Sequence, residues 1–114
     1  MEMIVTLKVI SFILFLHWLG DFVLQSDWMA KNKSHSIKAL SFHVFIYGAG
    51  FFIFFGWRFA LINMIAHFVV DYFTSKLTKK LWEKGDVHNF FVVIGADQYF
   101  HTVFLLFSYF ILEI

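Results

Sequence analysis

The chain contains neither cysteine nor proline, and few of its residues are charged. Without cysteine it has no disulfide, no thiolate nucleophile and no cysteine-ligated zinc, so redox chemistry does not identify its compartment. Charged residues make up 15% of the 114 residues, against about 25% in average soluble domains. The net charge of +1 gives no generally basic surface. We therefore expect no nucleic-acid partner.

Apolar residues, in contrast, are abundant. They make up 61% of the chain, with 18 Phe and 4 Trp among them, and the mean hydropathy is +0.75. A soluble domain of this length cannot hide so much apolar surface from water. The composition therefore excludes a water-soluble enzyme and a disordered tail, and it predicts an integral membrane protein.

Four stretches are long and apolar enough for transmembrane helices, which need about 20 mostly apolar residues. A turn signal at Gly56, Trp57 and Arg58 separates the second from the third, so we expect an antiparallel hairpin there rather than one long helix through 37–77. The predicted fold is all-α: a single membrane domain of residues 1–114, built as an integral membrane bundle of four transmembrane helices. The predicted spans are 4–25, 37–55, 58–77 and 90–113.

The distribution of lysine predicts the orientation. The segments 26–38 and 76–89, which share one side of the predicted bundle, carry seven lysines, whereas the opposite side has only Lys8 and Arg58. Cytoplasmic loops carry the excess of positive charge. We therefore expect a multi-pass protein of the bacterial inner (plasma) membrane, with both longer loops in the cytoplasm and both termini outside.

Seven histidine and aspartate side chains fall inside the predicted spans, where each is costly and is a functional hypothesis by default. Three spans carry a His and an Asp four residues apart, which places both on one face of a helix. The helical rise places most of the seven at overlapping depths in the cytoplasmic half. We therefore expect one connected polar cluster that faces the bundle interior. Its members are His17, Asp21, His43, His67, Asp71, Asp97 and His101.

The chemistry of this cluster is that of a metal site. Imidazole nitrogen and carboxylate oxygen are ligands for zinc, manganese and iron. We predict that the seven side chains hold one or two divalent transition-metal ions, with zinc as the first choice and manganese or iron as alternatives. A metal-activated water would be the nucleophile, and Gln25 and Gln98 would orient ligands or polarise a substrate. The candidate catalytic residues are Asp97, Gln25 and Gln98, and the competing interpretation is a purely structural polar network.

The same residues resemble a known family. The segment HWLGDFVLQ from His17 to Gln25, followed by SDWMA and Lys33, resembles the opening motif of the domain of unknown function 3307 family, small membrane proteins of bacteria and their phages. The later motifs follow in the same order: the isolated His43, HFVVD at 67–71 with Lys76 shortly after, and DQYFH at 97–101. The family name states no activity. A looser similarity to membrane-bound metal-dependent hydrolases of bacterial stress responses implies a hydrolase without identifying its substrate.

Three functions follow as alternatives. The first is a metal-dependent hydrolase that acts on a lipid or membrane-associated substrate near the cytoplasmic leaflet, where Lys33, Lys76 or Lys79 would attract a phosphate headgroup. The second is a metal-ion or proton transporter or relay. The third is a small regulatory membrane subunit, for example one encoded by a phage, whose polar network only holds the bundle together. The expected partners are membrane lipid and, as alternatives, a second copy of the chain or a host membrane protein.

Overall fold

The computed structural model describes residues 2–112, which form five α-helices and one π-helical turn. The described residues contain no strand, so the fold is all-α as predicted. Helix α1 spans Glu2–Trp18 and continues into the π-helical turn Leu19–Val23; α2 spans Asp27–Asn32, α3 Ile37–Phe55, α4 Trp57–Glu83 and α5 Val87–Ile111.

Local sequence signals set several of these ends. Ser26, Ser36 and Asp86 each accept a hydrogen bond from the backbone N–H three residues further on, at the starts of α2, α3 and α5. Such caps satisfy an N–H group that the helix itself leaves without a partner. Gly56 has a φ of 89°, a conformation that glycine adopts most readily. It ends α3 and lets α4 begin at the next residue, so the predicted hairpin is confirmed and the continuous helix is wrong.

Within residues 2–112, three segments are long and apolar enough to cross a membrane: Glu2–Val23, Ile37–Phe55 and Val87–Ile111. The predicted span 37–55 coincides with α3. The first predicted span, 4–25, contains the end of the helical segment, since the chain leaves the helix after Val23 to reach the Ser26 cap. The helix that contains the predicted span 90–113 begins at Val87, after the Asp86 cap. Residue 113 lies outside the described residues.

Helix α4 departs most from its predicted span, 58–77. It is 27 residues long, and it is not among the three segments that meet the length and hydropathy requirement for a span. The reason is the polar side of α4, which faces the bundle, while large apolar side chains such as Ile65 and Phe73 are exposed on its other side. The buried polar residues recur every three or four positions. They are Asn63, His67, Asp71, Ser75 and Thr78.

Helix α4 packs against both α3 and α5. Gly48 allows the close approach of α3, since a Cβ atom there would lie 2.3 Å from side-chain atoms of Met64 on α4. The bundle then divides into two halves along its length. One half holds an apolar core, and the half that contains α2 holds the polar cluster. The main members of the apolar core are Ile13, Leu16, Tyr47, Phe51, Phe59 and Leu105.

Candidate metal centre

All seven predicted cluster residues are buried, with at most 8% of any of them exposed. Segment Glu2–Val23 supplies two of them, α3 one, α4 two and α5 two. Polar contacts of 3.0 to 3.8 Å connect all seven in one network. The spacing argument from the sequence therefore identified residues that the fold brings together. They are His17, Asp21, His43, His67, Asp71, Asp97 and His101.

The π-helical turn positions Asp21 between two other helices. The backbone N–H of Leu24 donates to the carbonyl oxygen of Leu19, five residues earlier, at 2.8 Å. Such widened turns are frequent at functional sites. Asp21 Oδ1 lies 3.0 Å from Nε2 of His43 on α3, and its Oδ2 accepts a hydrogen bond of 2.9 Å from Nε2 of Gln98 on α5. The two oxygens of this carboxylate therefore face different parts of the cluster.

Four residues, the tetrahedral group, have the spacing of ligands around one ion. The group comprises Asp21, His43, His67 and Asp71, whose ligand atoms all lie within 4.8 Å of one another. Five of the six separations between its facing oxygen and nitrogen atoms are 3.0 to 3.3 Å. A tetrahedral zinc ion with bonds of about 2.0–2.1 Å holds its ligands about 3.3–3.4 Å apart. The group therefore has both the donor set and the dimensions of a four-coordinate site.

Three residues, the open group, form a second possible site next to the first. They are Asp21, Asp97 and His101. His101 Nε2 lies 3.1 Å from Asp97 Oδ2 and 3.0 Å from Asp71 Oδ1. Since Asp21 belongs to both groups, it can bridge two ions. Three protein ligands leave one tetrahedral position free for water or substrate.

Gln98 holds the two carboxylates of the open group in place. Its Nε2 donates to Asp21 Oδ2 at 2.9 Å and to Asp97 Oδ2 at 3.1 Å. Its Oε1 accepts a hydrogen bond of 2.7 Å from His17 Nε2, and His17 Nδ1 in turn accepts one of 2.9 Å from the Tyr47 hydroxyl. Both ring nitrogens of His17 are thus engaged by uncharged protein groups. His17 belongs to the cluster but to neither of the two ligand groups.

Lys33 brings a positive charge to the edge of the tetrahedral group. Its Nζ donates to Asp71 Oδ2 at 3.0 Å, and only 18% of its side chain is exposed. Burial lowers the pKa of the Lys33 ammonium, but the carboxylates of Asp71 and Asp21 raise it by more, so this pKa lies above its usual value. Lys33 is therefore a charged counter-ion for Asp71.

The remaining polar residues near the cluster differ in whether their polar atoms have hydrogen-bond partners. Lys76 donates to the Ser34 carbonyl oxygen at 2.7 Å and so fixes the chain after α2 to α4. Gln25 makes no such contact through its Oε1, which is buried without a hydrogen-bond partner among the described residues. The Nδ1 atoms of His43 and His67 are also buried without a hydrogen-bond partner among the described residues. In zinc-binding histidines, the ring nitrogen that does not bind the metal usually donates its proton to a partner.

Sequence reasoning missed three contributors to the site. Tyr47 follows His43 by four residues, so the same helical spacing could have identified it. Thr74 donates its hydroxyl proton to Asp97 Oδ1 from the neighbouring helix, and no sequence pattern indicates that contact. The ion pair of Lys33 with Asp71 was also missed, because it joins residues 38 positions apart.

Comparison with curated proteins and with solved structures gives no match, and nothing supports the looser similarity to metal-dependent hydrolases. A family model described as "Protein of unknown function (DUF3307)" matches residues 9–113. That range includes the whole polar cluster and confirms the resemblance of the motifs. The chain belongs to the DUF3307 family of proteins of unknown function.

Proposed function

We propose that this protein is a membrane-embedded, metal-dependent hydrolase that acts on a lipid or another membrane-associated substrate near the cytoplasmic leaflet. The observation that carries the proposal is the pairing of the tetrahedral group with the open group through Asp21. Two ions bridged by a carboxylate, one of them with a free position, are a common hydrolytic arrangement. Zinc fits the tetrahedral spacing best, and manganese or iron suits the same donors.

The charges of the site support the binding of divalent cations. With neutral histidines, the carboxylates of Asp21, Asp71 and Asp97 and the ammonium of Lys33 give a formal net charge of −2. Such an excess of buried negative charge is unfavourable without further cations. One divalent ion would balance it, and a second would make the site positive and able to attract an anionic substrate.

The two groups would have different tasks. The tetrahedral group uses four protein ligands, as closed structural sites do, whereas the open group leaves a coordination position for water. An ion in the open group would lower the pKa of that water to about 7. Asp97, itself a ligand of the open group, lines the adjoining cavity and would hold the ion and its water beside a substrate there. The proton of that water would pass to solvent in the cavity as the water oxygen bonds to the substrate. The leaving group would then depart with a proton from solvent.

Neighbouring residues would fix this geometry. Gln98 donates to both Asp21 and Asp97, and Thr74 holds the second oxygen of Asp97. These contacts leave little rotational freedom to the carboxylates, which is the usual role of groups that surround metal ligands. Gln25 lines the same cavity with an unpartnered oxygen, where it would contact substrate rather than a ligand.

The surface supports a location in the membrane with α4 as the fourth span. Phe45 and Ile53 on α3 and Phe107 on α5 are each more than 60% exposed and belong to an extensive apolar surface, which is unfavourable in water. Helix α4 is about 40 Å long at about 1.5 Å per residue, enough for a core of about 30 Å. Its polar side is buried against α3 and α5, which is how such residues are tolerated in a bilayer.

The lysine-bearing segments support the proposed orientation. Lys31 lies in the last turn of α2 and Lys33 caps its C-terminus. Both line the same cavity as Lys79, which lies near the end of α4. Both segments therefore lie at one end of the bundle, which we assign to the cytoplasmic side of the bacterial plasma membrane. Reporter fusions at Gly85 and at the C-terminus test this assignment. A cytoplasmic C-terminus would contradict it.

A transport function is less well supported by the same structure. The hydrogen-bonded cluster forms a continuous path as far as the Tyr47 hydroxyl. Beyond Tyr47, the buried core of the described residues is mainly apolar, with Phe51, Phe59 and Leu105, and its polar pair is the uncharged Asn63 and Ser108. A proton or metal ion that entered from the end of the polar cluster would therefore find no buried carboxylate or imidazole further along this chain.

The decisive experiment measures metal content and hydrolysis in the same preparation. We expect purified protein to retain a stoichiometric transition metal, and Asp97→Asn to lose the ion of the open group while it keeps that of the tetrahedral group. His67→Ala should lose the tetrahedral ion. His88→Ala, which changes an exposed histidine, is the matched control and should retain both.

Hydrolysis is then followed by mass spectrometry of a bacterial lipid extract incubated with the metal-loaded protein. The wild type and His88→Ala should give the same product, and Asp97→Asn should give none above background. Metal binding without any difference between wild type and Asp97→Asn would remove catalysis from the proposal. Absence of metal from all preparations would favour a structural network in a regulatory subunit.

A further inference from the structure

A cavity of about 710 Å³ lies at the cytoplasmic end, between α2, the end of α4 and the start of α5. Asp21, Asp97 and Gln98 of the metal centre line it, and Trp82 and Phe90 are among its apolar walls. Its volume is in the range of about 300–1,000 Å³ that is typical of small-molecule sites. A single water occupies only about 30 Å³ in the liquid. The cavity therefore has room for a ligand much larger than an ion and its water.

Two buried polar atoms of the cavity wall have no partner among the described residues. One is the hydroxyl oxygen of Ser75, a residue that is 8% exposed, and the other is Gln25 Oε1. Buried polar atoms in folded proteins are almost always hydrogen-bonded. A serine hydroxyl can donate to an anionic oxygen, and a glutamine oxygen can accept from a ligand hydroxyl. Rotation of either side chain would present its unpartnered atom to a polar headgroup in the cavity, four residues beyond Asp71 and Asp21 respectively.

The charges around the cavity favour a phosphate. Lys31, Lys33 and Lys79 line it, and Glu83 is an exposed acid beside them. Lysine binds phosphate as a compact point charge. The inner carboxylates of Asp21 and Asp97 would repel an anion in the metal-free protein. Binding of metal removes that repulsion and also gives Asp71 a counter-ion other than Lys33, whose ammonium is then free to face the cavity.

We propose that this cavity binds the anionic phosphate of an amphiphile, with the phosphate between the lysines and the open group and the chains along the apolar walls. The inference rests on the proposed function and names its substrate class. It requires that metal and phosphate bind cooperatively, since each is favoured by the charge that the other brings. The group that the cavity binds is a phosphate rather than a carboxylate or an uncharged headgroup.

The test is native mass spectrometry of the full chain in a maltoside detergent, which contains no phosphate. The probe is a phosphonate analogue of phosphatidic acid, because its P–C bond resists hydrolysis. Diacylglycerol with the same chains lacks the phosphate, oleate replaces it by a carboxylate, and glycerol phosphate lacks the chains. We expect the phosphonate lipid to be retained at least tenfold better by the zinc-loaded protein than by the metal-free protein, and better than diacylglycerol or oleate.

Two lysines on one helix provide a matched pair of variants. Lys79→Gln removes the positive charge of a side chain that lines the cavity. Lys80→Gln removes a positive charge from the next residue, which is also exposed but does not line the cavity. We expect Lys79→Gln to weaken retention of the phosphonate lipid about three- to tenfold, which is typical of one partly exposed charged contact. Lys80→Gln should leave it unchanged. Both positions are exposed, so neither variant should affect folding.

The outcomes separate this inference from the proposed function, because the same spectrum counts bound metal. Retention of diacylglycerol or oleate equal to that of the phosphonate lipid would overturn the phosphate assignment even if metal is present. Equal retention of the phosphonate lipid by Lys79→Gln and Lys80→Gln would also overturn it. Retention of metal with no preference for the phosphonate lipid would also overturn it and leave the metal centre intact. If glycerol phosphate competes at the concentration of the lipid, the phosphate chemistry is supported and the natural ligand is a soluble phosphate ester. If it competes only at far higher concentration, the lipid is supported.

Discussion

The ion pair of Lys33 with Asp71 provides the sharpest test of whether a cation belongs in the tetrahedral group. At 3.0 Å, two unit charges attract each other by about 5–6 kcal/mol at an effective dielectric constant of about 20. Replacing Lys33 by Met removes this attraction and also removes the cost of burying the ammonium. Loss of one partner from a buried pair usually costs about 3–5 kcal/mol. We therefore expect Lys33→Met to lower the free energy of unfolding of the metal-free protein by about 3 kcal/mol.

Bound metal should change that result. An ion in the tetrahedral group would supply Asp71 with positive charge, so in zinc-loaded protein Lys33→Met should cost less than about 1 kcal/mol. By linkage, the difference of about 2 kcal/mol appears as a zinc affinity about 30-fold higher in the variant than in the wild type. Linkage requires the two measurements to agree, so the unfolding experiment and the metal titration check each other.

The assay is reversible unfolding in mixed micelles, followed by tryptophan fluorescence with and without zinc. Lys38→Met, at an exposed position at the start of α3, is the control and should be nearly neutral. The double variant Lys33→Met/Asp71→Asn removes both charges and should recover most of the stability lost in metal-free Lys33→Met. Equal destabilisation with and without zinc, or weaker zinc binding by the variant, would refute the placement of an ion beside Asp71.

Two further predictions concern the scaffold. Gly48→Ala should destabilise the protein by about 1–3 kcal/mol, because the new methyl group would overlap the Met64 side chain. Gly95→Ala meets no neighbour within 4 Å and should stabilise α5 by up to about 1 kcal/mol. Equal effects of the two variants in the same unfolding assay would contradict the close approach of α3 and α4. Asp86→Ala should lower the melting temperature at neutral pH. Hydrogen bonds from Asn89 lower the pKa of the Asp86 carboxyl, so its stabilisation is present above the usual aspartate pKa and is lost as the pH falls through the lowered value. A melting-temperature difference that does not shrink in acid would show that the cap acts without its charge.

The sequence was sufficient to predict the members of the polar cluster because each carries a strong local signal. His and Asp are rare inside apolar helices, and a separation of four residues places both members of a pair on one face. His43 lacks a partner on its own helix, yet the depth estimate placed it with the others, and it contacts Asp21 at 3.0 Å. These inferences needed only helical geometry and the cost of polar groups in an apolar environment.

The division into two ligand groups depends on side-chain geometry that no local pattern encodes. The π-helical turn Leu19–Val23 carries no proline or other clear sequence signal, yet it places Asp21 in both groups. The contacts of Gln98 with Asp21 and of Thr74 with Asp97 join different segments of the chain. Hydropathy alone does not identify α4 as a span, because an average over a helix cannot distinguish a polar face that is buried from one that is exposed to solvent.

The polar side of α4 links assembly of the bundle to formation of the site. Alone in a bilayer, this helix would expose His67 and Asp71 to lipid, which is strongly unfavourable. Their contacts come from His43 on α3 and His101 on α5, so docking of these helices stabilises α4 and assembles the proposed metal site in the same step. A substitution in the cluster is therefore expected to impair assembly as well as chemistry. For this reason loss of activity in such a variant identifies a catalytic role only when the folded protein still holds its other ion.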